Sequence, residues 1–394
     1  MRVHRLVDST ALRSRAWVEI DAAALAHNAR VLRRTIPRDV RLGLMVKAEG
    51  YGHGMEIAAR AAVAGGADQL MIATLEEGLD LRRAGIDAPA LIVYPIPPDG
   101  VGEAVDAGLE LSVSAAGALP AMLEAWRGAA GGGDRTLTVH VEVDTGMGRG
   151  GVPADRLVEV VTAIDDTPGI ALAGIWSHLA DGSDAARSRE QTERFEAALA
   201  GLAATGRAIP MRHMGATEAV FLDTAPSYDM VRIGLGFYGE LGVGVEPAPA
   251  HAAEAADLRP AMAIKARPIR VEDVAPGTSV GYGREWTAER PSRIATLPIG
   301  YADGWTRAYW PGASALVRGR RVPLVGRVSM DSVCADVTDA GDVHLDDEFV
   351  MLGAQGDARI TAGELARLRG SIPNEVFCAF GPRLPRIVVG DQGR

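Results

Sequence analysis

The sequence predicts an α/β fold, an N-terminal (β/α)₈ barrel of the TIM type followed by a mostly β C-terminal domain. Over the first two-thirds of the chain, eight short apolar runs alternate with amphipathic stretches rich in Ala, Leu and Arg. Strands that alternate with helices form parallel βαβ units, and eight such units fit a closed barrel. Beyond about residue 246 the texture changes to short Val/Ile/Thr runs broken by turns. The chain has 394 residues, more than one hydrophobic core usually serves, so two domains are expected on length as well.

In chain order the runs read as barrel strands are Leu42–Lys47, Leu70–Thr74, Ala90–Tyr94, Leu109–Val113, Leu137–Val143, Leu172–His178, Met211–Gly215 and Met230–Leu235. Helical spacing falls between them, as in Met55–Ala64, Glu76–Ala84, Ala116–Arg127, Ala154–Ile164 and Arg187–Ala204. An open doubly wound sheet is the alternative arrangement of the same elements. Gly128–Asp134 is a low-complexity loop, and Glu246–Pro260, rich in Ala and Pro, reads as a linker. After it the expected strands are Ala263–Val271, Arg293–Leu297, Ala315–Val317, Val333–Val337 and Glu348–Leu352, with a helix over Thr361–Leu368. The expected division is 1–21 as a segment joining the β domain, 22–245 as the barrel and 246–394 as the β-rich domain.

Composition narrows the function classes. Hydrophobic residues make up 47% and charged residues 23%, the balance of a soluble globular chain. The net charge of −10 disfavours a nucleic-acid partner, whose phosphates need a basic surface. Cys334 and Cys378 are the two cysteines and form no CxxC pair, so neither a zinc site nor a disulfide framework is expected. The N-terminal stretch lacks an apolar core of signal-peptide length, and no run approaches ~20 apolar residues, so a cytoplasmic protein without membrane contact is expected.

In such a barrel, catalytic groups sit where strands end and βα loops begin. The first strand ends in VKAEGYGHG, with Lys47 at its edge and Tyr51 in the loop. The fifth runs into VEVDTGMGRGG, the sixth ends in WSHLAD with His178, and the eighth holds Arg232 in MVRIGLGFYG. Singly, each has a plain structural reading: a solvated lysine, a core histidine, glycine turns, an arginine paired with an acid. Together they fall on one rim and suit a phosphate-bearing aldehyde. A lysine amine attacks a carbonyl once it is deprotonated and partly desolvated. Phosphates commonly sit at the loops after strands seven and eight. Those loops carry Thr217 and the amides of Gly234 and Leu235, and glycine lets backbone N–H groups approach an anion.

These segments resemble the alanine racemase family, whose lysine signature for pyridoxal 5'-phosphate (PLP) is similar to VKAEGYGHG. GYGREWTAER, LPIGYADGW, VGRVSMDSV and PRLPR continue the resemblance in order, and it extends from AWVEID to PRLPRIVV. It implies that Lys47 binds PLP and serves as one base, with Tyr282 of the partner subunit as the other. It implies that Arg232 faces the pyridine nitrogen, supported by His178, and that Arg149 reaches the cofactor and the substrate carboxylate. Tyr51, Thr217, Gly234 and Leu235 would hold the phosphate. Met330 and Asp331 of the partner subunit would line the substrate pocket with Tyr282, and Tyr301, Arg307 and Arg327 its entrance. The implied protein is a head-to-tail homodimer with shared sites that supplies D-alanine for cell-wall peptidoglycan.

This chain departs from the family pattern at several places. Glu49-Gly50 replaces the usual Asn-Ala or Asp-Ala. Glu142 stands where a lysine, often carbamylated, is common, and could supply a carboxylate to steady Arg149. Ala216-Thr217 replaces Asn-Ser, and Glu218 a small residue. Pro382 stands at a tyrosine position that closes the pocket, which opens a second expectation: a racemase for serine or another larger amino acid. A third, of a different class, is a protein that binds PLP without racemase turnover; the small barrel proteins of that kind lack a second β domain.

Overall fold

The computed structural model describes residues 15–129 and 135–390. Most of the expected Gly128–Asp134 loop and residues 1–14 of the N-terminal segment lie outside the described residues. Gly128 and Ala129 complete the helix Leu119–Ala129. The chain divides into two compact units. One comprises Leu25–Gly50 and Met55–Arg259. The other takes the residues up to Ala24, Tyr51–Gly54 and those from Pro260 onward.

The first unit is a closed parallel barrel. Its strands are Arg41–Met45, Gln69–Ile72, Ala90–Ile92, Glu110–Val113, Leu137–Asp144, Ile170–Trp176, Met211–His213 and Met230–Ile233. Each pairs in parallel with the next, and the eighth returns to the first with Met230 opposite Arg41 and Ile233 opposite Leu44. All eight expected runs are therefore strands. Short runs such as QLMI and ALI are buried along their whole length, as strands covered on both faces must be. The intervening helices begin on capping side chains. Thr74 and Glu77 form a reciprocal capping box, and the Asp184 carboxylate accepts from the N–H groups of Ala186 and Arg187.

Most of the strands stop short of the expected ends. Lys47, Tyr94, His178 and Leu235 all lie beyond the last ladder residue, in the loops or turns that follow. In the sixth strand a glycine makes room for a buried polar side chain. At Gly174, in the sixth strand, a Cβ would lie 2.3 Å from His140 Nδ1 and 3.0 Å from the Met211 carbonyl oxygen. Gly174→Ala should therefore lower stability by about 1–3 kcal/mol, the usual cost of overpacking. Urea unfolding of both proteins measures it, and an unchanged midpoint would mean that His140 moves aside freely.

The second unit is a mostly antiparallel sheet. Its strand order is Arg270–Val274, Ser292–Leu297, Val333–Asp336, Arg320–Val325, Ser314–Val317, Phe349–Gln355, Met262–Ala266, Ala16–Asp21 and Arg386–Val389. Ala16–Asp21 pairs antiparallel with Met262–Ala266 and parallel with Arg386–Val389. The single strand expected over Ala263–Val271 is two strands, because Pro268 lacks an N–H and breaks the ladder. Arg320–Val325 was hidden by its two leading arginines and Pro323. The linker reading of Glu246–Pro260 also needs correction, since its Ala-rich half forms a helix over Ala252–Asp257. Among the described residues no helix is long and apolar enough to cross a membrane.

Candidate active site

The C-terminal rim of the barrel gathers the predicted cations. The chain leaves the first strand through Lys47 and makes a left-handed turn, with φ of 52° at Ala48, 55° at Glu49, 59° at Gly50 and 49° at Tyr51. Such a run is costly for L-residues, roughly 1–2 kcal/mol each, and needs outside support. The Glu77 carboxylate accepts from Ala48 N–H at 2.7 Å and from Ala73 N–H at 2.6 Å, and Glu49 accepts from Met55 N–H at 3.3 Å. At Gly50 a Cβ would lie 2.8 Å from the Ala58 methyl, so a larger residue there needs the helix of Ala58 to give way.

Tyr94, just past the third strand, brings two of the cations together. Its ring centroid is 5.3 Å from Lys47 Nζ and 5.6 Å from Arg149 Cζ, within the range where a ring quadrupole attracts a cation. Arg149 rides on the glycine-rich loop after the fifth strand. That loop is wound around Asp144, whose Oδ1 accepts from Gly146 N–H at 2.9 Å and Gly148 N–H at 3.1 Å. Gln191 ties it to the loop after the sixth strand, donating to Thr145 Oγ1 at 3.1 Å and to the His178 carbonyl at 3.0 Å.

Arg232 is buried in the eighth strand. Its guanidinium donates to the Ser177 carbonyl at 2.7 Å, meets His213 Nδ1 at 3.0 Å and His178 Nδ1 at 3.4 Å, and lies 4.6 Å from the Trp176 ring centroid. Burial pulls it down to about 10, against the attraction of Glu142, so it stays a cation at neutral pH. Burial likewise pulls His178 down to about 3, aided by repulsion from Arg232, Arg149 and Lys47. The same electrostatics show that His178 lies within reach of all three cations. Glu142 is buried beside them. Burial raises its carboxyl, opposed by a hydrogen bond from Ser114 and by Arg149 and Arg232. Thr217 is buried after the seventh strand and accepts from Gly236 N–H at 3.2 Å. Gly234 and Leu235 lead into a 3-10 turn after the eighth.

The depressed His178 has a consequence for acid stability. Its folded value lies below the ordinary 6.5, so its contribution is complete above pH 6.5 and is lost as pH falls toward about 3. In the cofactor-free protein, Tm of wild type should fall more steeply over that window than Tm of His178→Gln. Parallel curves would show that His178 protonates in the folded protein without penalty.

The second unit carries the remaining predicted residues. Tyr282 opens a 3-10 turn whose preceding Gly281 has φ +79° and sits against Arg327, where a Cβ would lie 3.2 Å from its backbone nitrogen. The Tyr301 and Ala302 N–H groups donate to the Ser329 and Met330 carbonyls, and Arg383 donates to Asp331 at 2.6 Å. Arg327 pairs with Glu285, near which Arg307 also lies. Tyr282 and Met330 are 71% and 53% exposed in the single chain, unusual for side chains of their size. Pro382 follows Gly381, whose carbonyl accepts from Arg386 at 2.7 Å.

Tyr94, Trp176 and His213 were not singled out in the sequence. For Tyr94 the available signal was an aromatic residue at a strand end before a proline. Nothing in the local pattern sets Trp176 and His213 apart from core residues of their strands.

A closed parallel barrel with lysine, arginine and neutral histidine on its C-terminal rim, continued along the chain into a β domain, defines a two-domain barrel enzyme. The chain belongs to the alanine racemase family: residues 20–242 match the family's N-terminal domain and residues 261–388 its C-terminal domain. It is 36% identical over 380 residues to alanine racemase of Synechocystis sp., covering 96% of this chain and 100% of that one. Alanine racemase from Streptomyces coelicolor superposes with a TM-score of 0.87 at 32% identity, over 97% of this chain and 100% of that one. Histidine racemase from Leuconostoc mesenteroides superposes with a TM-score of 0.84 at 27% identity, over 95% and 98%.

Proposed function

We propose that this protein interconverts L- and D-alanine with PLP as cofactor, and so supplies D-alanine for cell-wall peptidoglycan. The observation that carries this reading is the convergence of Lys47, Arg149 and Arg232 around the neutral His178 on one barrel rim, in a chain with both domains of the family. The donor set suits PLP. Lys47 offers an amine, Thr217 a hydroxyl and the Gly234 and Leu235 turn backbone amides for a phosphate, and the buried Arg232 a cation with no acceptor atoms. Tyr51 would join Thr217 at the phosphate.

PLP, when bound, draws electrons from the substrate Cα and acidifies its proton. Lys47 takes or returns that proton on one face, and Tyr282 of the partner subunit does so on the other. Arg149 anchors the substrate carboxylate, steadied by the Glu142 carboxylate beside it. Arg232 has only donors to offer, so it would hold the pyridine nitrogen of PLP unprotonated and keep electron withdrawal moderate, which would disfavour side reactions. Met330 and Asp331 of the partner subunit line the pocket, with Tyr301 at its entrance, and the working form is a homodimer. The test is a racemisation assay on L- and D-alanine, read by circular dichroism, with added PLP. No turnover of either enantiomer by the PLP-loaded protein would end this reading.

A broader amino-acid range is the second reading, favoured by Pro382 and by the likeness to a histidine racemase. Loss of one pocket contact shifts discrimination by ~1–3 kcal/mol, about 10–200-fold. Measurable serine turnover is therefore expected, and Pro382→Tyr should narrow the range toward alanine. Ratios of kcat/KM for alanine, serine and larger amino acids decide it. Wild type confined to alanine, with Pro382→Tyr unchanged, would refute it.

A further inference from the structure

Behind Arg232 an unbroken line of polar side chains crosses the barrel interior. Arg232 Nη1 lies 3.0 Å from His213 Nδ1, and His213 Nε2 lies 2.9 Å from His140 Nδ1. His140 Nε2 lies 2.8 Å from Glu110 Oε2, to which Gln69 also donates at 2.7 Å. Both imidazoles are fully buried. Glu110 opens the fourth strand, so it sits on the rim opposite the lysine, and its side chain keeps partial exposure.

The hydrogens in this line can be ordered in one way. A guanidinium only donates, so His213 Nδ1 must be a bare acceptor. His213 then carries its proton on Nε2 and donates to His140 Nδ1. His140 carries its proton on Nε2 and donates to Glu110. Reversing one link would set two hydrogens or two lone pairs against each other where no water can intervene. The two ends agree with this order. Burial pulls Glu110 upward, but the bond from His140, its proximity, Gln69 and Arg41 outweigh it and hold the carboxylate ionised. Burial, then Arg232, keeps His213 neutral.

We propose that Glu110 is a positioning residue for Arg232. By accepting from His140 Nε2 it completes, from the far end, the order that the guanidinium imposes on His213 Nδ1, and so anchors both rings behind Arg232. Arg232 is thereby held in one orientation, with its remaining N–H groups left for a ligand at the rim. That last step rests on the function proposed above, whereas the order of the hydrogens does not.

The test begins with the cofactor-free protein labelled with 15N in its histidine rings, assigned by single His→Gln variants. In wild type, His140 and His213 should each show a bare Nδ1 and a protonated Nε2. Glu110→Met removes the acceptor at similar length, so His140 Nε2–H loses its partner and the His140 ring should lose its single tautomer, while His213 keeps the bare Nδ1 that Arg232 requires. Glu110→Gln keeps an acceptor oxygen and should restore the order. In the PLP-loaded enzyme, Glu110→Met should lower kcat roughly 10–100-fold, the scale of a misplaced catalytic group, with KM little changed. Glu110→Gln should stay within about threefold of wild type, since the acceptor that orients the ring remains. A protonated Nδ1 on either histidine of wild type overturns the proposal. So does Glu110→Met with unchanged tautomers and kcat, or Glu110→Gln as impaired as Glu110→Met. If Glu110→Met does not fold, the wild-type and Glu110→Gln spectra decide. Absence of racemisation by wild type would refute the proposed function and leave the spectra to judge the relay.

Discussion

Lys47→Ala is expected to abolish turnover, a larger loss than the roughly 10²–10⁴-fold that removal of a general acid–base alone costs, because anchoring and proton transfer go together. The chain has two lysines, Lys47 and Lys265, which makes the prediction sharp. Borohydride reduction of the PLP-loaded protein should fix the cofactor on Lys47, as read by peptide mass spectrometry. Lys265 is a poor competitor. Its ammonium lies 2.8 Å from both Glu19 and Glu348, and although burial works against the charge, these two carboxylates raise its pKa overall. An amine so held stays protonated and does not attack a carbonyl. Label on Lys265, or full activity in Lys47→Ala, would contradict the assignment.

Tyr282→Phe is expected to cost roughly 10²–10⁴-fold in kcat, the range for loss of a general acid–base group, with little loss of PLP binding. The residue lies on the β-rich unit and is 71% exposed in the single chain, as a base offered to another subunit should be. Mixing inactive Lys47→Ala with inactive Tyr282→Phe should restore part of the activity. In a mixed dimer one site carries both substitutions and the other neither. Subunit exchange is followed separately by a fluorescent label. Exchange without recovered activity would refute the shared site.

Local pattern alone determined a good part of this molecule. The eight barrel strands are legible because each is a short apolar run bounded by turn residues, a signal that needs no knowledge of distant contacts. Lys47, His178 and Arg232 stand out because polar groups at the ends of such runs must emerge on one rim. In the β-rich unit the same reading did worse. Arg320–Val325 and Arg386–Val389 carry arginines or proline and become strands through their partners in the sheet. The contacts that set the chemistry were decided by tertiary structure. Lys47 and Arg149 share Tyr94 though they lie far apart in the chain. His140 meets His213 across 73 residues and Glu110 across 30. Whether Glu142 is an exposed acid or a buried one in the field of two arginines, and whether His178 is charged, depends on the water that folding removes. Desolvation and pairing are properties of a place in the fold, and no spacing along the chain encodes them.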